Sequence, residues 1–176
     1  MQEVFFVSGA AASGKTKFAK ALAAARNLQI LDLDDTLDKL IASNQASLDE
    51  LGMEKFLSTM APARYKDLLE RALREFSQGK SLVIVGPFTK QIANENIWKE
   101  MKEPFEKQGV IPKLVWVNIS NTLRAARLKG RGLKRDKGKV ADMDAYLAKT
   151  NPQAPVFGHI NIDGSKDFPA QIKDNF

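Results

Sequence analysis

Apolar residues follow two rhythms along the 176-residue chain: short unbroken runs, and longer stretches with helical spacing. Val4-Phe5-Phe6-Val7 is too short a run for a helix and rich in β-branched and aromatic side chains, which predicts a strand over 4–8 buried on both faces. From 15 to about 26, Phe18, Ala19, Leu22 and Ala23 recur on one face and predict a helix. A short second strand is expected at 29–32, then a helix from 34 to about 41 with Asp34 or Asp35 as its cap. Residues 48–78 read as helical, interrupted at Gly52 and Pro62 and stopped by Gly79. A third strand follows at 81–86, a helix at 91–108, a fourth strand at 113–119, helices at 121–129 and 136–149, and a fifth strand at 156–162. The tail near 169–174 supports a short helix at most. Strands separated by helices pair in parallel through right-handed crossovers. The expected fold class is therefore α/β, a single three-layer domain over 1–176 without repeats or internal linkers.

The first strand runs into Gly9-Ala10-Ala11-Ala12-Ser13-Gly14-Lys15-Thr16, a complete G-x-x-x-x-G-K-[ST] phosphate loop at a strand-to-helix junction. Gly9 and Gly14 let the backbone approach phosphate with no Cβ in the way, so that successive N–H groups converge on its oxygens. Lys15 adds a point charge toward the β- and γ-phosphates, and the Thr16 hydroxyl is placed for Mg²⁺. The helix that opens there aims its positive end at the same anion. The octet assigns nucleotide binding, with Mg²⁺ as the expected metal.

Composition removes other chemistries. The chain has no cysteine and one histidine, His159, which excludes thiol nucleophiles, Cys-type zinc sites and paired-histidine metal sites. No apolar stretch approaches a membrane span, and the start lacks the basic segment of a leader, so a cytoplasmic protein is expected. The net charge of +6 first suggests a nucleic-acid partner. Its distribution argues otherwise: Arg124, Arg127, Lys129, Arg131, Lys134, Arg135, Lys137 and Lys139 crowd one segment against Asp136 alone, leaving the rest near neutral. Charge so focused suits closure over a polyphosphate rather than a track for a duplex, and no aromatic platform for a polynucleotide accompanies it.

Three further positions carry chemistry. Asp32 and Asp34 stand where the second strand ends, on the side of an open α/β sheet where ligands bind. One carboxylate there can hold a water of Mg²⁺ while the other takes a proton from, or orients, an attacking hydroxyl. Asp34 is the stronger choice, and Asp35 reads mainly as a cap. The turn Gly86-Pro87-Phe88 suits either one wall of an acceptor pocket or a plain strand-to-loop turn, and no acid stands on the third strand. In the basic segment, Arg127 and Arg131 share a helix face, and Gly130 and Gly132 read as hinges of a lid over about 130–139. Such a lid brings an arginine onto the transferring phosphoryl group only on closure. Within the helical region at 36–78, Arg64 is read as a surface residue beside Pro62, the alternative being a partner for an anionic acceptor. Trp98 and Trp116 are read as packing residues and His159 as structural.

A phosphate loop, Asp-x-Asp after the second strand and an arginine-rich lid after the fourth resemble the small-molecule kinases of the phosphate-loop superfamily, with shikimate and gluconate kinases nearest in layout. The chain also resembles bacterial AAA-type ATP-binding proteins of the same plan. The resemblance implies a five-stranded parallel sheet in the order 2-3-1-4-5, ATP, Mg²⁺, and transfer to a small-molecule acceptor. It further implies that Lys15 and Thr16 serve phosphate and magnesium, Asp34 the acceptor hydroxyl, Asp32 the outer magnesium shell, and Arg127 the adenine. Arg131 or Arg135 would be the lid arginine, and 36–78 the acceptor-binding region. Gly86-Pro87-Phe88 departs from the glycine triplet of shikimate kinases and from the Asp-Gly-Phe-Pro-Arg of nucleoside monophosphate kinases. Two other functions share the site, a nucleotide or polynucleotide 5′-kinase and a nucleotide-dependent regulatory protein with little transfer activity.

Overall fold

The computed structural model describes residues 1–133, 136–150 and 153–176. Five parallel strands, β1 (Val4–Gly9), β2 (Gln29–Asp32), β3 (Leu82–Val85), β4 (Lys113–Asn118) and β5 (Ile160–Asp163), form one sheet in the order β2-β3-β1-β4-β5. The expected strand order is thus observed.

Both faces of the sheet are covered, which is why β1 reads as a continuous apolar run. Val4 and Phe6 point to one side, with Ile84 and Trp116, and pack beneath α4 (Met53–Ser77) and α6 (Glu95–Glu106). Phe5 and Val7 point to the other, with Val85 and Val117, and meet α1 (Lys15–Arg26) and α10 (Phe168–Asn175). The Phe6 ring meets Phe88, Trp98 and Phe105 edge-on at 5.6, 5.3 and 5.9 Å, and Trp98 and Trp116 are both core residues. Burying each such side chain stabilises the fold by roughly 1.5–3 kcal/mol.

Local structure departs from the sequence reading at several places; the helix expected at 91–108 is divided at Asn94, whose side chain caps α6 by accepting the Asn96 and Ile97 N–H groups. Pro62 does not interrupt α4, which runs through it for 25 residues. The bond forgone at Pro62 is outweighed by the apolar row Leu68, Ala72 and Phe76 packed on the sheet. After β2 the chain makes a short 3₁₀ turn, Leu33–Thr36, before α2 (Leu37–Ser43) and α3 (Gln45–Leu51). Its cap is Asp32 rather than Asp34 or Asp35: the Asp34 N–H donates to Asp32 Oδ1 at 3.0 Å, and Asp35 accepts the Asp32 N–H at 2.9 Å. The helix expected at 136–149 is two helices, α8 (Lys137–Ala141) and α9 (Met143–Lys149). They are broken where Asp142 leaves helical geometry and caps Ala145 N–H. Residues 156–159 precede β5 instead of belonging to it; Phe157 turns back to stack on Trp98, and its carbonyl lies 2.9 Å from His159 Nδ1.

The remaining elements are the single turn α5 (Thr89–Ile92) and α7 (Asn121–Arg131). Gly130 lies inside α7, so of the two expected hinges Gly132, at φ 60°, is the one where the helix ends. Among the described residues no helix is long and apolar enough to cross a membrane.

Candidate functional site

The carboxyl ends of β1, β2 and β3 converge on one cleft of about 1060 Å³. The phosphate loop forms its floor through strained backbone. Gly9, Ala12 and Gly14 have φ of 148°, 65° and 104°, and a Cβ on Gly9 would lie 2.5 Å from the Val117 carbonyl oxygen. A side chain at Gly9 is therefore excluded by backbone that cannot yield. The Ser13 N–H donates to the Ala10 carbonyl, and α1 opens directly from the loop with Phe18 N–H on the Gly14 carbonyl at 2.8 Å. Lys15 Nζ donates to the Ala10 carbonyl at 2.8 Å, which keeps the ammonium against the loop. The Thr16 hydroxyl donates to Asp32 Oδ2 at 2.9 Å. Burial pushes the Asp32 carboxyl above its ordinary value, against the lowering effect of the Asp34 N–H and the Thr16 hydroxyl.

Asp34 turns the other way. Its Oδ1 accepts from Arg64 Nη2 at 2.9 Å, and the same nitrogen donates to the Leu33 carbonyl at 3.0 Å. The Arg64 side chain is 10% exposed, and its Nε has no hydrogen-bond partner. Arg64 is thus a cleft residue rather than the surface residue expected. The missed signal was spacing: Arg64 falls on the four-residue row Phe56, Met60, Leu68, Ala72, Phe76, and a lone charge in an apolar row marks a side chain turned inward. Reading Pro62 as a helix break hid that register.

The next residue, Tyr65, accepts the Phe88 N–H at 3.0 Å, and burial raises its hydroxyl to about 12. This bond and the Ser8 hydroxyl, which donates to the Pro87 carbonyl at 2.7 Å, hold the turn after β3 with Phe88 at φ 45°. Gly86 and Pro87 line the cleft, so the turn forms part of its wall.

Two arginines of α7 meet the loop from the β4 side. Arg127 donates through Nη1 to the Ala12 and Ser13 carbonyls at 3.3 and 3.1 Å, and through Nη2 to the Gly164 carbonyl at 2.8 Å. It seams the phosphate loop to the turn after β5. A Cβ on Gly164 would lie 2.3 Å from the Ser13 carbonyl oxygen. Arg124, three residues earlier, is buried behind the loop.

Arg131 Nε donates to Asp136 Oδ2 at 2.5 Å, and Lys139 Nζ to Asp136 Oδ1 at 2.7 Å. Asp136 is 1% exposed; burial acts to raise its carboxyl, but the two cations outweigh it and hold the group below the usual range. Arg131 and Lys139 both line the cleft, whereas Arg135 and Lys134 lie outside the described residues. The cleft thus gathers Lys15, Thr16, Asp32, Asp34, Arg127 and Arg131 from three separated stretches of chain, and Arg64 adds a fourth.

The profile of the AAA domain family AAA_33 matches residues 4–152. No curated protein matches the chain. Among solved structures it is similar to a sugar kinase from Janibacter sp. HTCC2649, at 14% identity and TM-score 0.60 over 99% of this chain and 92% of that one. It is also similar to shikimate kinase from Bacteroides thetaiotaomicron, at 16% identity and TM-score 0.59 over 98% and 95%. A gluconokinase from Sinorhizobium meliloti 1021 is similar at 13% identity and TM-score 0.55 over 98% and 88%. The likeness to these three extends over both chains nearly end to end. With the phosphate loop, the 2-3-1-4-5 parallel sheet and this match over most of its length, the chain belongs to the AAA domain family AAA_33 and has the fold of the phosphate-loop small-molecule kinases.

Proposed function

We propose that this protein transfers the γ-phosphoryl group of ATP to a hydroxyl of a small acceptor that also carries an acidic group. The reading rests on one observation: the Asp34–Arg64 pair shares a single cleft with Lys15, Thr16 and Asp32. The cleft therefore combines the loop with its lysine, two carboxylates and a second cation.

In this reading the loop N–H groups and Lys15 hold the phosphate oxygens, and Arg127 lies beside the base. Thr16 and Asp32 offer an all-oxygen donor set, which suits Mg²⁺. Among the described residues no group of three or more His, Cys, Asp and Glu could hold a metal by itself. When bound, Mg²⁺ neutralises charge on the β- and γ-oxygens. Asp34 takes the proton of the acceptor hydroxyl as its oxygen bonds to the γ-phosphorus and the bond from that phosphorus to the bridging oxygen breaks, releasing ADP. Arg64 exchanges Asp34 for the carboxylate or phosphate of the acceptor, a charge-assisted pairing that orients the hydroxyl. Arg131, or Arg135, closes on the transferring group.

ADP release measured across sugars, polyols, hydroxy acids, sugar phosphates and nucleosides tests the proposal. Turnover is expected with members that pair a hydroxyl with an acid. Turnover confined to neutral polyols removes the acidic group from the reading, and MgATP binding without turnover on any member favours a nucleotide-dependent regulatory protein.

A further inference from the structure

Among the described residues Arg124 is the largest fully enclosed side chain, 2% exposed. A buried cation normally demands a carboxylate. Among the described residues Arg124 has none; its guanidinium is satisfied by carbonyls, a hydroxyl and an aromatic face. Nε donates to the Ala11 carbonyl at 3.3 Å, Nη1 to the Thr150 carbonyl at 2.6 Å and Nη2 to Thr150 Oγ1 at 2.7 Å. Its central carbon lies 5.1 Å from the Tyr146 ring centre.

We infer that Arg124 is a positioning residue of the phosphate site, acting through the Ala11–Ala12 peptide. In a trans peptide the C=O and the following N–H point to opposite sides of the chain. Arg124 is not part of the cleft wall, whereas Ala11 and Ala12 are. Holding the Ala11 carbonyl back against Arg124 therefore turns the Ala12 N–H forward, toward the cleft. That residue sits at φ 65°, a conformation an alanine keeps only where its surroundings impose it. The other end of the fork fixes Thr150, just past α9. The Tyr146 ring that faces Arg124 also has Lys139 Nζ 5.8 Å from its centre, and Lys139 holds Asp136. Arg124 thus links the phosphate loop to the elements that carry the lid cations.

This inference rests on the phosphate-site reading above, and the test separates the two. Magnesium tripolyphosphate and MgATP are titrated calorimetrically into wild type, Lys15→Ala, Arg124→Met, Arg124→Lys and Thr150→Val, with circular dichroism confirming the fold of each. Arg124→Met is expected to weaken both ligands about tenfold, because the defect lies in the loop and not at the base. Arg124→Lys should recover part of the loss by reaching one of the two partners, and Thr150→Val, which frees one arm of the fork, should lose about threefold. In ¹⁵N-labelled wild type the Ala12 amide proton should move downfield on adding tripolyphosphate, and in Arg124→Lys it should move less. A folded Arg124→Met protein that binds tripolyphosphate within twofold of wild type overturns the inference while leaving the site intact. If Arg124→Met does not fold, an unaltered Ala12 shift in Arg124→Lys together with unaltered affinity in Thr150→Val overturns it equally. A folded Lys15→Ala protein that binds both ligands like wild type overturns the site reading and this inference together.

Discussion

Asp32 and Asp34 stand two positions apart in sequence, and their surroundings separate them. Asp32 is half-buried and accepts from the Thr16 hydroxyl and its own turn, whereas Asp34 is 45% exposed and faces a cation from α4. If Asp34 serves the acceptor, Asp34→Asn should lower turnover by about 10²–10⁴ while MgATP affinity holds, measured by single-turnover kinetics and calorimetry. A collapse of MgATP affinity would instead make Asp34 a metal residue. Asp32 gives a prediction of opposite character. A buried carboxyl with a raised pKa favours the folded state while protonated and loses that advantage as pH rises through its folded value. At pH 7 the charged form is a burden to the empty site. Asp32→Asn should therefore melt no lower than wild type at pH 7, and up to about 2–4 °C higher, with the difference shrinking toward pH 4. Thermal melts at the two pH values check it, and a large loss at pH 7 would mean that the hydrogen bonds to Asp32 outweigh its desolvation. Asp34, Asp32, Lys15 and Thr16 were all legible from sequence because each sits within a few residues of a strand end. Arg64 was not, because Pro62 masks the helical register that turns it inward and its partner lies 30 residues away.

At the scale of elements, glycines that look alike in sequence divide into those that touch something and those that do not. Gly164 joins β5 to the turn before α10, and a Cβ there would strike two backbone oxygens, Ser13 at 2.3 Å and Asn118 at 2.8 Å. Neither oxygen can swing away as a side chain would. Gly164→Ala should thus cost about 2–4 kcal/mol in chemical denaturation and weaken MgATP, since the displaced atom belongs to the phosphate loop. Gly130 has nothing within 4 Å and lies inside α7. Gly130→Ala should stabilise the protein by about 0.5–1 kcal/mol, the ordinary helix propensity difference. A destabilised Gly130→Ala protein would instead restore the hinge that the sequence suggested. The same divide explains the helices. Pro62 looked like a break because proline forgoes one backbone bond, yet a 25-residue amphipathic helix packed on the sheet absorbs that loss.

Over the whole molecule, the basic segment that dominates the sequence's charge is not one exposed cluster. Arg124 is enclosed, Arg127 is spent on three backbone carbonyls, and Arg131 and Lys139 share Asp136. The depressed Asp136 carboxyl contributes stability that is present above the ordinary value of about 4 and lost as pH falls through its lower folded value. Asp136→Asn should therefore cost about 1–2 kcal/mol at pH 7, with the gap from wild type closing below pH 4 in urea titrations. An equal gap at both pH values would assign the loss to packing instead. Sequence by itself determined the alternation of strands and helices that makes a parallel α/β domain, because apolar period and length are local properties that both sheet faces impose on each strand. It determined the phosphate loop too, because glycine, lysine and threonine act there through backbone and atoms within eight residues of one another. Tertiary structure decided which charges face the cleft and which are held by partners. Whether Arg64 meets Asp34, Arg124 turns behind Ala11 or Asp136 captures Arg131 depends on chain folds that bring distant segments within 3 Å or so, and hydrogen bonds at that range leave no period in the sequence.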